Sequence, residues 1–177
     1  MIQSVDQGNA LVSRNVAADI VRAHKIDEEH HNKFLTFLVG CEVLGIDILC
    51  IKEIIEYGNV CKVPLVPEYI RGVINLRGNI IPVIDLSARL GLNKGEITKR
   101  TSIVLVEVRA DDETMEIGVL VDAVNKVFHI ANDHIGEVPA FGMKIHVDYI
   151  AGMGRIDKEF VVLLNLDKVL DINDLAA

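Results

Sequence analysis

One stretch decides the fold of this chain: Gly72-Val73-Ile74-Asn75-Leu76-Arg77-Gly78-Asn79-Ile80-Ile81-Pro82-Val83-Ile84-Asp85-Leu86. Two runs of mostly β-branched and other aliphatic residues flank the dipeptide at 78–79, and such runs favour β-strands. Glycine and asparagine tolerate the positive φ angles of a two-residue hairpin turn. The stretch therefore predicts a β-hairpin that turns at residues 78–79.

Counting outward from that turn predicts which side chains face each other. Leu76 is placed opposite Ile81, and Ile74 opposite Val83. Because side chains on one face of an antiparallel pair pack directly across the strands, we assign these four to the core.

The other face of the hairpin is mostly apolar but carries one cation and one amide. Its predicted neighbours are Arg77 beside Ile80, Asn75 opposite Pro82, and Val73 opposite Ile84. Proline has no N–H to donate to a sheet, so we expect the second strand to lie at a sheet edge or a bulge.

The hairpin sequence is repeated later in the chain. Residues 69–86 align without a gap with residues 149–166: both open with Tyr-Ile-x-Gly and both contain a later aliphatic run. The repeat predicts two similar small β units, because its period is too long for a solenoid. Five short strands in each would leave exposed edges, which curling into a barrel and packing barrel on barrel would cover.

We therefore expect a mainly β fold of two SH3-like five-stranded barrels on a common hydrophobic core, with short helices. The predicted divisions are a leader at 1–32, one barrel at 33–95, a second at 96–170 and a tail at 171–177, with strand exchange between the barrels left open. In the leader, Val12, Val16 and Ile20 recur every fourth residue. That spacing fits a short amphipathic helix, and a frayed tail is an equal alternative.

Charge and composition exclude several classes of function. The net charge is −8, which gives no electrostatic reason to bind nucleic acid or an anionic membrane. The apolar runs are far shorter than the roughly 20 residues of a membrane-spanning helix, and the first residues do not resemble a secretory signal. We expect a cytoplasmic protein. Cys41, Cys50 and Cys61 are read as small buried apolar residues rather than disulfide or metal partners.

Catalytic motifs for phosphate binding, nucleophilic serine or zinc hydrolysis are absent from the sequence. The nearest cluster of acid–base or metal-binding types is His129, Asp133, His134 and Glu137 in a predicted loop. A thiol nucleophile at Cys50 has equally little support. We expect no catalysis, cofactor or metal, and a docking surface in their place.

The hairpin resembles the signature of the CheW family of bacterial chemotaxis coupling proteins. Two further segments extend the resemblance to about residues 33–170: LGIDI at 44–48 followed by Ile51, Glu53 and Ile54, and IGVLVD at 117–122. The resemblance implies two SH3-like barrels and no enzymatic activity. It implies an adaptor, associated through its partners with membrane receptor arrays, that joins the cytoplasmic tips of chemoreceptors (methyl-accepting chemotaxis proteins) to the regulatory domain of the histidine kinase CheA.

The resemblance also suggests site residues. Positions matching the family's interaction residues are Ile51, Glu53 and Arg77, and the hairpin geometry adds Val73, Asn75 and Gly78 as receptor-binding candidates. We assign Ile55 and Tyr57 to the kinase contact, because barrel edges and exposed aliphatic faces invite packing.

Alternatives for one residue and for the function stay open at this point. Arg77 could make an internal ion pair with Asp85 or Glu53 instead of, or as well as, a partner contact. Asp47 and Asp122 are expected to accept hydrogen bonds from turns. A rival function is a small-ligand sensory barrel with its pocket between the barrels, and another is a metal- or cysteine-dependent enzyme near residues 129–137.

Overall fold

The computed structural model describes residues 15–21, 32–139 and 142–176. Its strands are β1 Lys33–Val39, β2 Glu42–Asp47, β3 Ile51–Glu56, β4 Ile70–Leu76, β5 Asn79–Asp85, β6 Ser102–Ala110, β7 Glu113–Val121, β8 Ala123–His129, β9 Ile135–Gly136, β10 Ile150–Ile156 and β11 Glu159–Leu164. Its helices are α1 at 15–21, α2 Leu86–Leu90, α3 Leu166–Val169 and α4 Ile172–Ala176. Within these described ranges no helix is long and apolar enough to cross a membrane.

The strands form two mixed sheets, which confirms the predicted fold of two small SH3-like barrels. One sheet has the order β3-β6-β7-β5-β4, and the other β8-β1-β2-β11-β10-β9, where β9 is only two residues long. The first sheet forms the first barrel and the second sheet the second barrel. Each draws strands from both sides of residue 95, because β5 pairs in parallel with β7, and β11 with β2. Strand exchange therefore joins the two halves of the chain.

The two halves repeat each other in register as well as in sequence. In the first hairpin Ile70 pairs with Ile84 and Gly72 with Val83, and in the second Ile150 pairs with Leu164 and Gly152 with Leu163. Both hairpins have an irregularity at the same place, between these two pairs. The predicted internal repeat is confirmed.

The predicted pairing inside the first hairpin is wrong by two residues. Ile74 pairs with Ile81, and Leu76 with Asn79, because the turn is Arg77-Gly78 rather than Gly78-Asn79. Arg77 has φ 52° and Gly78 has φ 85°, so the glycine occupies the second position of the turn. A shift of two residues leaves every side chain on its original face. Ile74 and Ile81 are accordingly buried, as predicted.

The edge prediction for Pro82 is also wrong. Its strand β5 lies inside the sheet between β7 and β4, and the irregularity lies in β4. The parallel ladder with β7 begins only at Val83, so Pro82 lies outside it. In the second hairpin the equivalent residue, Val162, does pair with β2. The interior strand tolerates the missing N–H because its ladder starts one residue later.

Among the residues that the structure describes, three apolar clusters form the interior of the molecule. The interior of the first barrel contains Ile74, Ile81, Val83, Ile103, Leu105 and Leu120. Ile130, Val161 and Leu163 fill the second. The largest cluster includes side chains of β1 and β2 from one sheet and of β6 and β7 from the other, which confirms the common core between the barrels.

The leader contributes to that common core. Residues 15–21 are helical, and Val16 and Ile20 are only 3% and 4% exposed within the largest cluster. The helical interpretation is confirmed for this segment, while Val12 lies outside the described residues.

The tyrosines of the repeated Tyr-Ile-x-Gly meet at one arginine. Arg89 of α2 lies 4.9 Å from the ring centre of Tyr69 and 5.5 Å from that of Tyr149. Its Nε donates a 2.7 Å hydrogen bond to the Val169 carbonyl. Cation–π contacts of a largely buried guanidinium are among the stronger ones, so Arg89 ties the two repeats together.

The prediction of three buried cysteines is wrong for two of them. Cys41 and Cys61 are exposed, because Cys41 lies in the β1–β2 turn and Cys61 in the β3–β4 connection. Cys50 is partly buried. Burial, with a smaller effect of Asp47, raises the pKa of its thiol to about 11. This thiol stays protonated at neutral pH, which argues against a nucleophile.

Candidate functional site

The first barrel closes along a seam where its two edge strands approach each other. The edges of its sheet are β3 and β4. Among the described residues, three contacts join β3 and the segment that follows it to β4, and we call the residues that make them the seam: Glu53, Tyr57, Cys61, Arg71, Val73 and Arg77. The seam contains four of the eight residues assigned to partner contacts: Glu53, Val73, Arg77 and Tyr57.

The ion pair of Arg77 and Glu53 forms one end of the seam. Nη2 of Arg77 lies 3.2 Å from Oε1 and 3.1 Å from Oε2 of Glu53. The arginine side chain is 72% exposed and the glutamate 36%. Because solvent screens such a pair, it contributes less than about 1 kcal/mol to stability. The predicted internal pair therefore forms with Glu53, and it leaves the cation at the surface.

Asp85, the other predicted partner of Arg77, has a different role. Its Oδ1 accepts hydrogen bonds from the backbone N–H groups of Ser87 and Ala88 and from the Ser87 hydroxyl. It is thus the N-cap of α2. The turn roles expected of Asp47 and Asp122 are confirmed, since they accept from the N–H groups of Leu49 and Gly40 respectively.

A bulge in β3 sets the direction of Glu53. The pairing of β3 with β6 shifts register between Ile51 and Glu53, which leaves Lys52 as the extra residue. Nζ of Lys52 pairs with the carboxylates of Glu107 and Glu116 on the next two strands. Bulges bend a strand and redirect its side chains, so adjacent residues of β3 serve two separate ion pairs here.

Two further contacts cross the seam. The guanidinium carbon of Arg71 lies 5.9 Å from the ring centre of Tyr57. Cys61 and Val73 exchange two backbone hydrogen bonds of 2.9 Å each, which form an isolated bridge. This bridge requires glycine at position 72, directly before Val73. A Cβ on Gly72, whose φ is +152°, would lie 2.2 Å from the Cys61 carbonyl oxygen.

The other residues assigned to partner contacts differ in their exposure to solvent. Ile51 has no exposed surface and packs in the common core, so it cannot touch a partner directly in this conformation. Ile55 and Tyr57 are partly buried against the interior of the first barrel. Asn75 and Gly78 are exposed at the hairpin turn. The structure thus brings Glu53, Val73, Asn75, Arg77 and Gly78 to one surface and removes Ile51 from it.

Sequence reasoning missed Arg71 and Cys61. A signal for Arg71 existed in the repeat, where Ala151 stands at the corresponding position of the second copy. For Cys61 there was none, because its pairing with Val73 depends on how a loop returns to the sheet.

Two clefts lie at the second barrel, and a third lies between the β1–β2 turn and the segment that follows α2, where Cys41, Glu42, Gly91, Leu92, Asn93 and Lys144 line it. One, of about 440 Å³, is lined by Asp133, His134, Gly136, Glu137, Pro139, Met153, Arg155 and Phe160. This position differs from the predicted ligand pocket between the barrels. Among the residues that the structure describes, no three His, Cys, Asp or Glu side chains are grouped closely enough to hold a metal ion.

Comparisons with known proteins give a consistent picture. The model of the CheW-like domain family matches residues 33–173. The chain is 30% identical over 144 residues to the "Chemotaxis protein CheW" of Klebsiella aerogenes, covering 81% of this chain and 84% of that protein. The Bacillus subtilis protein of the same name is 34% identical over 134 residues, covering 76% and 81%.

A solved structure is similar as well. The crystal structure of scaffolding protein TtCheW from Thermoanaerobacter tengcongensis superposes with a TM-score of 0.71 at 33% identity, covering 79% of this chain and 90% of that one. The similarity spans both barrels, whereas helix α1 lies outside the matched family region.

Proposed function

This chain belongs to the CheW-like domain family of chemotaxis scaffolding proteins, and from that premise we propose that it couples chemoreceptor cytoplasmic tips to the histidine kinase CheA. In this proposal it acts without catalysis, at the cytoplasmic side of receptor arrays, through contacts on the first barrel. The receptor contact comprises Glu53, Val73, Arg77 and Gly78, and Asn75 lies on the same surface at the hairpin turn.

One observation supports this site above others: a well-positioned cation stands exposed beside apolar side chains. Arg77 is held by Glu53 yet is 72% exposed, and Ile80 on the neighbouring strand is also 72% exposed. Val73 and Pro82 pair on the same face and are partly buried. An apolar patch with one cation suits a helical tip that offers apolar side chains and a carboxylate.

We place the proposed kinase contact along β3 and directly after it. Ile55 and Tyr57 pack on the first barrel's interior and keep part of their surface in solvent. They lie beyond Glu53 on the same strand or just after it, so the two contacts would share an edge of one barrel. Each contact can be weak alone, because an array adds strength through multivalency.

The test is binding of purified chain to a chemoreceptor cytoplasmic fragment and, separately, to CheA. We expect Arg77→Ala to weaken receptor binding at least about tenfold, as for an arginine at the centre of an interface. Alanine also carries a Cβ at the positive φ of this turn, so the backbone strain is unchanged. Arg109→Ala, which removes an exposed arginine of β6, is the matched control.

The competing outcomes are distinct. Normal receptor binding by Arg77→Ala would move the site elsewhere on the chain. Failure of the unaltered chain to bind either protein would remove the coupling role itself. A melting shift with a small molecule and no protein partner would favour the ligand-sensing hypothesis.

A further inference from the structure

The turn that carries Arg77 is held by a side chain as well as by its own backbone. Arg77 and Gly78 both have positive φ angles, 52° and 85°. Oδ1 of Asn75 accepts a 3.1 Å hydrogen bond from the Gly78 N–H. Arginine is an uncommon residue in this left-handed region, so the turn benefits from an added restraint.

The second hairpin provides an internal comparison. Its turn also has two residues, since Ile156 pairs with Glu159, but only Asp157, with φ 55°, has a positive φ there. Arg155 stands at the position of Asn75 and Lys158 at that of Gly78. Here the Nε of Arg155 donates to the Asp157 carbonyl at 3.3 Å, and no amide side chain holds the turn. The hairpin therefore forms without the asparagine bond.

From this difference we infer that Asn75 is a positioning residue, which holds the Arg77-Gly78 turn so that the guanidinium points at Glu53 and stays presented to a partner. Both bonds to Glu53 leave from Nη2 of Arg77, so the pair depends on how the turn aims the side chain. This assigns Asn75 an indirect role in place of the direct partner contact predicted above. Its consequence for binding rests on the proposed function.

The first experiment uses the free chain. Asn75→Ala removes the acceptor, whereas Asn75→Asp keeps an oxygen that can accept from Gly78. By NMR, we expect Asn75→Ala to speed hydrogen exchange of the Gly78 amide about three- to tenfold, the effect of one ordinary hydrogen bond. We also expect it to lower the NMR order parameter of the Arg77 Nε–H group. Aspartate should preserve both. Unchanged exchange and unchanged Arg77 order in Asn75→Ala would overturn the inference.

The second experiment is a double-mutant cycle on receptor-fragment binding. Asn75→Ala should weaken binding about three- to tenfold in the unaltered chain and have no further effect when Arg77→Ala is already present. Equal losses in both backgrounds would mean that Asn75 touches the partner itself, which contradicts a positioning role. Melting temperatures of the variants confirm folding, and Arg155→Ala serves as the control in the other hairpin.

The two experiments separate failure of this inference from failure of the proposed function. If the unaltered chain does not bind the receptor fragment, the coupling role is rejected and the NMR result alone decides the role of Asn75. If binding occurs but the cycle is additive, the coupling role stands and the positioning role is rejected.

Discussion

Gly72 and Gly152 occupy equivalent places in the two repeats, and their replacement by alanine should have very different effects. At Gly72 a Cβ would lie 2.2 Å from the carbonyl oxygen and 2.9 Å from the carbonyl carbon of Cys61, at a φ of +152°. At Gly152 the nearest atoms are a methyl of Ile135 at 3.1 Å and the Gly136 oxygen at 3.2 Å. A side-chain methyl can move aside by a few tenths of an ångström, whereas the Cys61 backbone cannot move without leaving its bridge.

The magnitude for Gly72→Ala follows from those contacts. Relieving the clash breaks two backbone hydrogen bonds between Cys61 and Val73, each contributing about 0.5–1.5 kcal/mol. The residue must also hold a conformation that costs a non-glycine residue about 1–3 kcal/mol. We expect a loss of about 4 kcal/mol for Gly72→Ala and about 1 kcal/mol or less for Gly152→Ala. In a chain of this size, the larger loss lowers the melting temperature by roughly 8–16 °C.

Thermal and urea unfolding followed by circular dichroism measure the difference, since the chain has no tryptophan to report by fluorescence. Hydrogen exchange at the Cys61 and Val73 amides locates the damage at the seam. Equal stability of the two variants, within about 1 kcal/mol, would refute the claim that the seam bridge depends on Gly72.

Three other predictions test separate parts of the molecule. Ile20→Ala should lower the free energy of unfolding by about 2 kcal/mol, the low end for a buried isoleucine. Val21→Ala, at a side chain that is 54% exposed, should change it by less than about 0.5 kcal/mol. Equal effects of the two variants in urea titration would show that α1 does not pack on the core. Glu53→Gln should lower the free energy of unfolding by less than about 1 kcal/mol, and this loss should become smaller as the salt concentration is raised. A large loss that does not depend on salt would contradict a solvent-screened surface pair. At pH 8 an alkylating reagent should label Cys41 well before Cys50, whose pKa is raised to about 11, and mass spectrometry showing Cys50 labelled first would contradict its burial.

The candidate site shows where local reasoning succeeds. Glu53 was one of two expected partners of Arg77, beside Asp85, because arginine–carboxylate pairs are common, and the structure places Arg77 and Glu53 together. The place of Arg77 in the turn did not follow, because the predicted turn began one residue later. The exclusion of Ile51 did not follow, because the bulge beside it turns its side chain into the common core.

What the linear order of residues determined by itself was the face of each strand and the existence of the repeat. Alternation with a period of two puts Ile74, Ile81 and Val83 on one face whichever turn is chosen, so a register error of two residues did not move them out of the core. Tertiary structure alone decided which strands that lie far apart in the chain are neighbours. β5 joins β7 and β11 joins β2 across long separations in the chain, and the seam follows from that closure. Such pairings depend on how whole sheets curl and cover each other's edges, and no local pattern of residues encodes that choice.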